Sequence, residues 1–280
     1  MAGKALVLGG GGSSGIGWLS GILYGLSEAG VDLSDADVVI GTSAGSSVGA
    51  QLASGELTLR ELYERQLAEP KGEIPARLGA AQLLRFVLAT LTSRTPEAYA
   101  RKVGRMALSA RTPSEADRRA AIQSRLVSPD WPAQALRMPA VDAVTGELRV
   151  FDRESGVALV DAVSASCAVP GVWPPVTIEG RRWTDGGVHS PANAHLAVGY
   201  ERVVVLAPMA MGAGPLASAA AQGRALREAG ARVAVVTPDR TAKQSFGRNP
   251  LDPSVRAAAA RAGRTQAPAL AAEVAEVWTG

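Results

Sequence analysis

The chain has 280 residues, and its composition of 47% hydrophobic and 20% charged residues excludes an intrinsically disordered protein. Its 29 Lys and Arg exceed its 26 Asp and Glu by three, and a net charge of +3 is too small to indicate a nucleic-acid partner. The single cysteine, Cys167, excludes an internal disulfide and favours a reducing compartment. We therefore expect residues 1–280 to form a single domain in the cytoplasm.

The hydropathy of the sequence indicates no segment that crosses a membrane. The apolar stretch at residues 5–8 runs directly into glycines and is too short for a secretory signal. No run approaches the roughly 18 apolar residues that a spanning helix needs. Any contact with a membrane is therefore expected to be peripheral.

The first quarter of the chain alternates short apolar runs with glycine-containing turns. The pattern predicts a strand at residues 4–8, a helix at 17–29 that ends at Gly30, a strand at 37–40 and a helix that begins within 46–53. A strand, a glycine turn, a helix and a second strand in this order are typical of the beginning of a parallel α/β sheet.

The pattern changes to helices alone over residues 57–135. Helical stretches are predicted at 57–68, 75–91, 96–108 and 114–127, with no strand between them. Residues 55–131 carry 13 Lys and Arg against 9 Asp and Glu. We expect a helical cap or insert within the single domain. Its helices are either simply solvated, or they form a mobile cap or a face that contacts anionic lipid.

Strands return in the second half of the chain. The predicted elements are a hairpin at residues 138–144 and 147–152, a helix at 159–166, strands at 181–184, 202–207 and 232–237, a helix at 216–229 capped by Gly230, and a final helix at 253–278 that breaks near Gly263 or Pro268. Together with the first elements they predict a three-layer α/β fold whose central sheet is mostly parallel and covered by helices on both faces.

A serine between two glycines follows the second predicted strand. In the run G-T-S-A-G, Gly41 and Gly45 flank Ser43 at the junction of a buried strand and a helix, which is the pattern of a nucleophile elbow. Side chains at the flanking positions would collide with the neighbouring strand and helix. A second match to this pattern surrounds Ser13, but it lies in a glycine run better suited to presenting backbone. Ser43 is therefore the candidate nucleophile.

The glycine run at residues 9–12 directly follows the first strand. Successive backbone N–H groups can converge there on one point and stabilise an oxyanion, and the N–H of Ala44 can add a donor. The same run also resembles the cofactor loop of short-chain dehydrogenases. Against that alternative, the second strand ends in Gly41-Thr42 without a ribose-binding acid, and no lysine follows a tyrosine by four residues.

The base that activates Ser43 is the remaining question, since the chain has only two histidines. His189 lies four residues after Asp185, a spacing unsuited to a Ser–His–Asp triad, and His195 is also expected to be structural. Asp185 precedes Gly186 and Gly187, so another segment can approach it closely. A D-G pair is also common in plain hairpin turns. A partly desolvated aspartate in a cleft can act as the base.

These motifs together resemble the patatin-like phospholipase family. The resemblance covers the glycine segment 9–15, the run G-T-S-A-G-S at 41–46, the run S-A-S-C-A-V-P-G-V-W-P-P-V at 164–176, and D-G-G at 185–187, in the order of that family. It implies a lipid acyl hydrolase with a mostly parallel α/β fold, a Ser–Asp dyad and neither metal nor cofactor. Residue by residue it implies Ser43 as the nucleophile, Asp185 as the base, and Gly10, Gly11 and Gly12 as oxyanion donors.

The resemblance leads to an expected function, to which there is one alternative from another class. We expect hydrolysis of a lipid ester through an acyl-enzyme, with Gly41, Gly45, Gly186 and Gly187 supporting the geometry of the site. The alternative from another class is a catalytically silent relative that binds a lipid or a partner. Ser14 stands where the family usually carries Arg or Lys, so the backbone donors are expected to act without a positive side chain at that position.

Overall fold

The computed structural model describes residues 3–69, 73, 76–212 and 214–280. Its strands are β1 (Lys4–Leu8), β2 (Val38–Gly41), β3 (Ala135–Asp142), β4 (Leu148–Phe151), β5 (Val176–Ile178), β6 (Arg181–Asp185), β7 (Arg202–Leu206) and β8 (Arg232–Val236). Its helices are α1 (Gly12–Glu28), α2 (Ala44–Ala53), α3 (Leu59–Leu67), α4 (Ala80–Thr92), α5 (Pro96–Ser109), α6 (Glu115–Gln123), α7 (Leu159–Ser166), α8 (Ala219–Glu228), α9 (Arg240–Ser245), α10 (Arg256–Gln266) and α11 (Ala271–Trp278).

The strands form one sheet in the order β5-β6-β3-β2-β1-β7-β8, with β4 also paired to β3. The five strands β3, β2, β1, β7 and β8 run parallel. Strands β4, β5 and β6 join the β3 side by antiparallel pairing. Because β1 and β2 are parallel neighbours, their carboxyl ends meet at one edge, with Leu8 opposite Gly41. The glycine run and the serine elbow follow these two ends directly.

Helices cover both faces of this sheet. Leu6 and Leu8 of β1 pack into a core with residues of α1, α2, α7, α10 and α11. Ala5 and Val7 alternate with them along the strand and pack on the opposite side with α8 and the 3₁₀ turn Ala194–Ala197. The predicted three-layer α/β fold with a mostly parallel sheet is confirmed.

Helix α1 begins at Gly12, five residues before the predicted start at residue 17. Two polar groups in the first turn of this helix are bonded to backbone carbonyls: Ser14 N–H donates to Pro250 O at 3.0 Å and Ser13 Oγ to Leu251 O at 3.1 Å. Low helix propensity in the glycine run is therefore outweighed by tertiary contacts.

Glycines also set the contact between α1 and α10. A Cβ on Gly17, Gly21 or Gly25 would lie 2.3 Å from Arg256 O, 2.0 Å from Ala260 O or 2.7 Å from the Ala267 Cβ, respectively. Spaced four residues apart, the three glycines form one face of α1. The backbones of the two helices therefore pack closer than any side chain on that face would allow.

Several boundaries differ from the sequence-based prediction. The predicted hairpin exists as β3 and β4, but β3 begins at Ala135 because its first residues pair with β2 in parallel. Strand β5 and helix α9 were not predicted, since each is very short. The C-terminal helix breaks at the 3₁₀ turn Ala267–Leu270, which contains Pro268, and continues unbroken through Gly263.

Between residues 57 and 134 the described part of the chain contains helices α3 to α6 and no strand. The predicted helices at 57–68, 96–108 and 114–127 correspond to α3, α5 and α6. The one predicted at 75–91 corresponds to α4, and residue 75 lies outside the described residues. Within the described residues, no helix is long and apolar enough to cross a membrane.

Candidate active site

Ser43 occupies a strained turn between β2 and α2. Its φ of 53° and ψ of −113° lie in a backbone region that residues other than glycine rarely adopt. A Cβ on Gly45 would lie 1.9 Å from Leu8 O of β1, and a Cβ on Gly41 would lie 2.4 Å from Gly45 O. These distances account for glycine at both flanking positions. The sharp turn presents the Ser43 side chain at the amino end of α2, where the helix dipole favours negative charge.

Three side chains to which the sequence assigned no role in the site hold the Ser43 backbone. Ser43 N–H donates to Ser166 Oγ at 3.1 Å, and its carbonyl accepts from Ser46 Oγ at 2.7 Å and from Cys167 Sγ at 3.2 Å. Cys167 is a free cysteine, and it is buried. Burial raises the pKa of this thiol, so that it remains protonated and can donate.

Asp185 ends strand β6 and is only 5% exposed. Its Oδ1 accepts a hydrogen bond from Gly187 N–H at 2.7 Å. Its Oδ2 is buried and accepts no hydrogen bond from any residue that the structure describes. A Cβ on Gly186 would lie 2.3 Å from Pro139 O of β3, so glycine is needed there for the turn to pack against the sheet. One carboxylate oxygen is thus anchored and the other is free.

The environment of Asp185 makes it a stronger base than an exposed aspartate. Burial raises its pKa to about 6. The Ser43 hydroxyl, the Gly187 N–H and the positive charge of Arg118 each lower this pKa and oppose the effect of burial. At neutral pH the carboxylate is therefore ionised, while its affinity for a proton exceeds that of an ordinary aspartate.

Arg118 of α6 supplies a positive charge beside this pair. The residue is 4% exposed, and its guanidinium stacks over the Trp173 ring at 3.8 Å from the centroid. Its Nε and Nη1 are buried without a hydrogen-bond partner among the described residues. Burial lowers the Arg118 pKa to about 10, which leaves it charged at neutral pH. A positive side chain is thus present near the site although Ser14 replaces the usual basic residue of the glycine segment.

The glycine segment presents fewer free donors than expected. The Gly10 N–H donates to Pro191 O at 2.8 Å, and this bond removes Gly10 from the expected set of oxyanion donors. The N–H groups of Gly11, Gly12 and Ala44 have no acceptor among the residues described. Gly12 has a φ of +61°, and a Cβ there would lie 2.7 Å from Pro250 O, so only glycine fits this turn.

Ser43, Asp185 and the glycine segment line one cavity of about 290 Å³. Most of its wall is apolar, with Leu83 and Phe86 of α4 and Tyr99 of α5 on one side. A smaller cavity of about 30 Å³ also reaches Ser43, and its mixed lining includes the charged side chains of Arg118, Arg125 and Glu73. The nucleophile candidate therefore lies between a mostly apolar cavity and a smaller one whose lining carries two arginines and one glutamate.

Neither histidine is among the described residues that line these two cavities. His189 Nδ1 lies 3.0 Å from Asn193 Oδ1, and the His189 and His195 rings lie 5.0 Å apart. Asn193 itself is buried with a φ of 51°, and its Nδ2 donates to Thr42 Oγ1 at 3.1 Å and to Gly186 O at 3.1 Å. This amide ties the turn after Asp185 to the end of β2 and so fixes the two candidate residues relative to one another.

The chain was compared with known sequences and structures. No curated protein sequence matches it significantly. Among solved structures it is similar to VipD from Legionella pneumophila, with 17% identity over 66% of this chain and 46% of that chain and a TM-score of 0.38. It is also similar to the type III effector protein ExoU, with 16% identity over 97% of this chain and 53% of that chain and a TM-score of 0.41. The chain spans about half the length of these two proteins. The model of a family described as Patatin-like phospholipase matches residues 6–198, and with more than half of its length matched the chain belongs to the patatin-like phospholipase family.

Proposed function

We propose that this protein hydrolyses carboxylic esters of lipids with Ser43 as the nucleophile and Asp185 as the general base. The family supports a lipid hydrolase. One observation carries the assignment of residues. Ser43, with its strained backbone, and Asp185, a buried carboxylate with one free oxygen, line the same cavity. Strained backbone and a raised pKa at the same place are typical of an active site.

The reaction proceeds in two steps. Ser43 Oγ attacks the ester carbonyl carbon while Asp185 Oδ2 takes the hydroxyl proton, and a tetrahedral intermediate forms. The carbon–oxygen bond to the leaving alcohol then breaks, and Asp185 returns the proton to that alcohol. In the second step water attacks the acyl-enzyme with Asp185 again as the base, and the fatty acid and free Ser43 are released.

The oxyanion of both tetrahedral intermediates is stabilised by backbone donors. Gly11, Gly12 and Ala44 have the unengaged N–H groups, and the amino end of α2 adds the field of its dipole. The apolar wall that contains Phe86 suits a hydrocarbon chain, since it removes water from both surfaces.

A fluorophosphonate probe tests the nucleophile against the alternative of a silent binding protein. The wild-type chain should become labelled, and peptide mapping should place the adduct on Ser43. The Ser43→Ala variant should remain unlabelled. A folded wild-type protein that takes no label would favour the silent relative.

The identity of the base is tested by hydrolysis of a soluble p-nitrophenyl ester. Asp185→Asn keeps the shape of the side chain but removes the base, so kcat should fall by roughly three orders of magnitude or more. His189→Ala is the matched control and should retain most of the activity, because His189 does not line the cavity. Equal losses in the two variants would refute the dyad.

A further inference from the structure

Helix α4 carries its apolar face on the outside of the molecule. The exposed fractions are 57% for Leu83, 59% for Leu84, 46% for Val87, 50% for Leu88 and 76% for Leu91. Residues 84, 87, 88 and 91 have the spacing of one helical face, which in a globular protein normally packs on the core. Here only Ala89 of the whole helix is buried. Such a contiguous apolar surface indicates a binding partner.

The surroundings of this face are strongly basic. Residues 76–112 contain seven basic residues and one acidic residue, Glu97, so their net charge is +6. The basic residues are Arg77, Arg85, Arg94, Arg101, Lys102, Arg105 and Arg111. None of them forms an ion pair with an acidic side chain in the described ranges. The positive charge is therefore available to an anionic partner.

Basic and apolar groups meet in an open groove of about 410 Å³ between α4 and α5. Leu88 of α4 lines it together with Arg85, Lys102 and Arg105. Lys102 Nζ also donates to Thr92 O at 2.7 Å and so holds the end of α4. The groove thus combines an apolar wall with charges that suit a phosphate group.

The same helix connects the outer surface to the cavity of Ser43. Leu83 is exposed and also lines that cavity, and Phe86 lies in the cavity wall. Met209 is another cavity residue that is exposed, at 54%, and Met211 nearby in the chain is 80% exposed. A lipid that leaves a bilayer bound at this surface would therefore pass along helix α4 to reach the cavity of Ser43.

We propose that α4 and the α4–α5 groove form a docking surface for an anionic lipid bilayer. The outward leucines enter the interface between headgroups and acyl chains, and Arg85 and Arg105 contact anionic headgroups. The charge of +6 favours a bilayer with anionic lipid over a neutral one. Delivery of substrate from this surface rests on the proposed function, whereas binding of the bilayer does not.

Flotation with lipid vesicles tests the proposal in the full chain carrying Ser43→Ala, so that no lipid is hydrolysed by the proposed nucleophile. One set of vesicles contains phosphatidylcholine alone and the other contains about 30% phosphatidylglycerol. We expect binding to the anionic vesicles that weakens with added salt, and little binding to the neutral ones. Arg85→Gln with Arg105→Gln should weaken binding roughly fivefold for each removed charge. Leu84→Glu with Leu88→Glu should weaken it by more than about tenfold.

Val198→Glu is the matched control, because Val198 is exposed to a similar extent, 59%, but follows the 3₁₀ turn at residues 194–197. It adds the same kind of charge and should leave binding almost unchanged. Thermal unfolding identifies any variant that fails to fold. Absence of binding to anionic vesicles would overturn the proposal and favour a protein partner for α4. Equal losses in Val198→Glu and in the Leu84 and Leu88 variant would also overturn it.

Discussion

The proposed role of Asp185 as a base places two requirements on the pKa of its carboxyl group. A proton acceptor for a serine needs a pKa well above that of an exposed aspartate, and burial provides this increase. The group must also be ionised at neutral pH, and the Ser43 hydroxyl, the Gly187 N–H and the charge of Arg118 together limit the increase in pKa to about 6. Arg118 stacks on Trp173 and does not pair with Asp185, so it can act by its charge without occupying the free oxygen. We infer that Arg118 contributes, with these hydrogen-bond donors, to the working pH range of the proposed dyad.

The pH dependence of kcat/KM should reveal this effect. Below pH 6 the wild-type rate should fall about tenfold for each pH unit, because only ionised Asp185 can accept the serine proton. Arg118→Met removes the charge and keeps a long apolar side chain against Trp173. Its acid limb should move to higher pH, while the rate on the high-pH plateau is largely kept. Initial rates with a soluble p-nitrophenyl ester measure both quantities.

Two variants control for a purely structural role of Arg118. Arg119→Met makes the same change one residue later, on a side chain that pairs with Asp161 and does not contribute to the pKa of Asp185. It should leave the acid limb in place. Arg118→Lys retains the charge and should keep the limb closer to that of the wild type. An unchanged limb in a folded Arg118→Met protein would contradict the role inferred here.

At the scale of elements, close backbone contact between α1 and α10 holds the glycine segment in position. The helix that begins at Gly12 carries two of the three candidate oxyanion donors, Gly11 and Gly12, at its amino end. Its glycine face admits α10 so closely that Gly21 has no room for a methyl group in front of Ala260 O. Any displacement of α1 would therefore move Gly11 and Gly12 relative to Ser43.

Gly21→Ala should destabilise the protein although alanine is the better helix former. The added Cβ would lie 2.0 Å from a backbone oxygen, and the helices must separate to admit it, at a cost of about 3 kcal/mol in the free energy of unfolding. Urea unfolding followed by tryptophan fluorescence measures this change. Gly49→Ala in α2 is the comparison, because the nearest atoms to its Cβ belong to side chains and not to backbone, the closest being Val39 Cγ1 at 3.1 Å. It should change stability by less than about 1 kcal/mol, and a similar cost for both variants would argue against the backbone contact as the cause.

Elements that depend on local sequence patterns were predictable, and features that depend on distant contacts were not. Apolar runs in β1, β2, β7 and β8 are local, and they predicted the parallel sheet. The early start of α1 depends on contacts with Pro250 and Leu251, which lie more than 200 residues away in the sequence. The outward orientation of α4 was also not predictable, because an amphipathic pattern defines a face but not what that face contacts.

The candidate site was likewise predictable in part, where its residues belong to local motifs. Ser43, Asp185 and the glycines around them form local motifs, and the structure brings them to one cavity. Ser166 and Cys167 lie in the run at 164–176, which is part of the family resemblance. The resemblance did not assign a role to either side chain. Arg118 lies in a helix without a motif, and only tertiary packing brings it beside Asp185. Likewise, the bond from Gly10 N–H to Pro191 O could not be inferred from a glycine run alone.

At the scale of the whole molecule, the cavity lies between the carboxyl edge of the sheet and the predicted helical insert at 57–135. The sheet contributes Ser43 and Asp185, and α4 and α5 contribute Phe86 and Tyr99. The proposed catalytic groups and the apolar wall thus come from different parts of the chain. A change in the wall should therefore alter which acyl chain is preferred without altering the chemistry.

Phe86→Ala should lower kcat/KM for p-nitrophenyl decanoate by about tenfold more than for p-nitrophenyl butyrate. The long chain loses apolar contact in the enlarged cavity, whereas a butyryl group has little contact to lose. The ratio of the two kcat/KM values is the informative quantity, because a smaller folded fraction lowers both equally. Leu108→Ala on α5, which truncates a partly exposed side chain outside the cavity, should leave the ratio unchanged. Equal losses for the two esters in Phe86→Ala would show that the acyl chain does not lie against α4, and would place it on another side of Ser43.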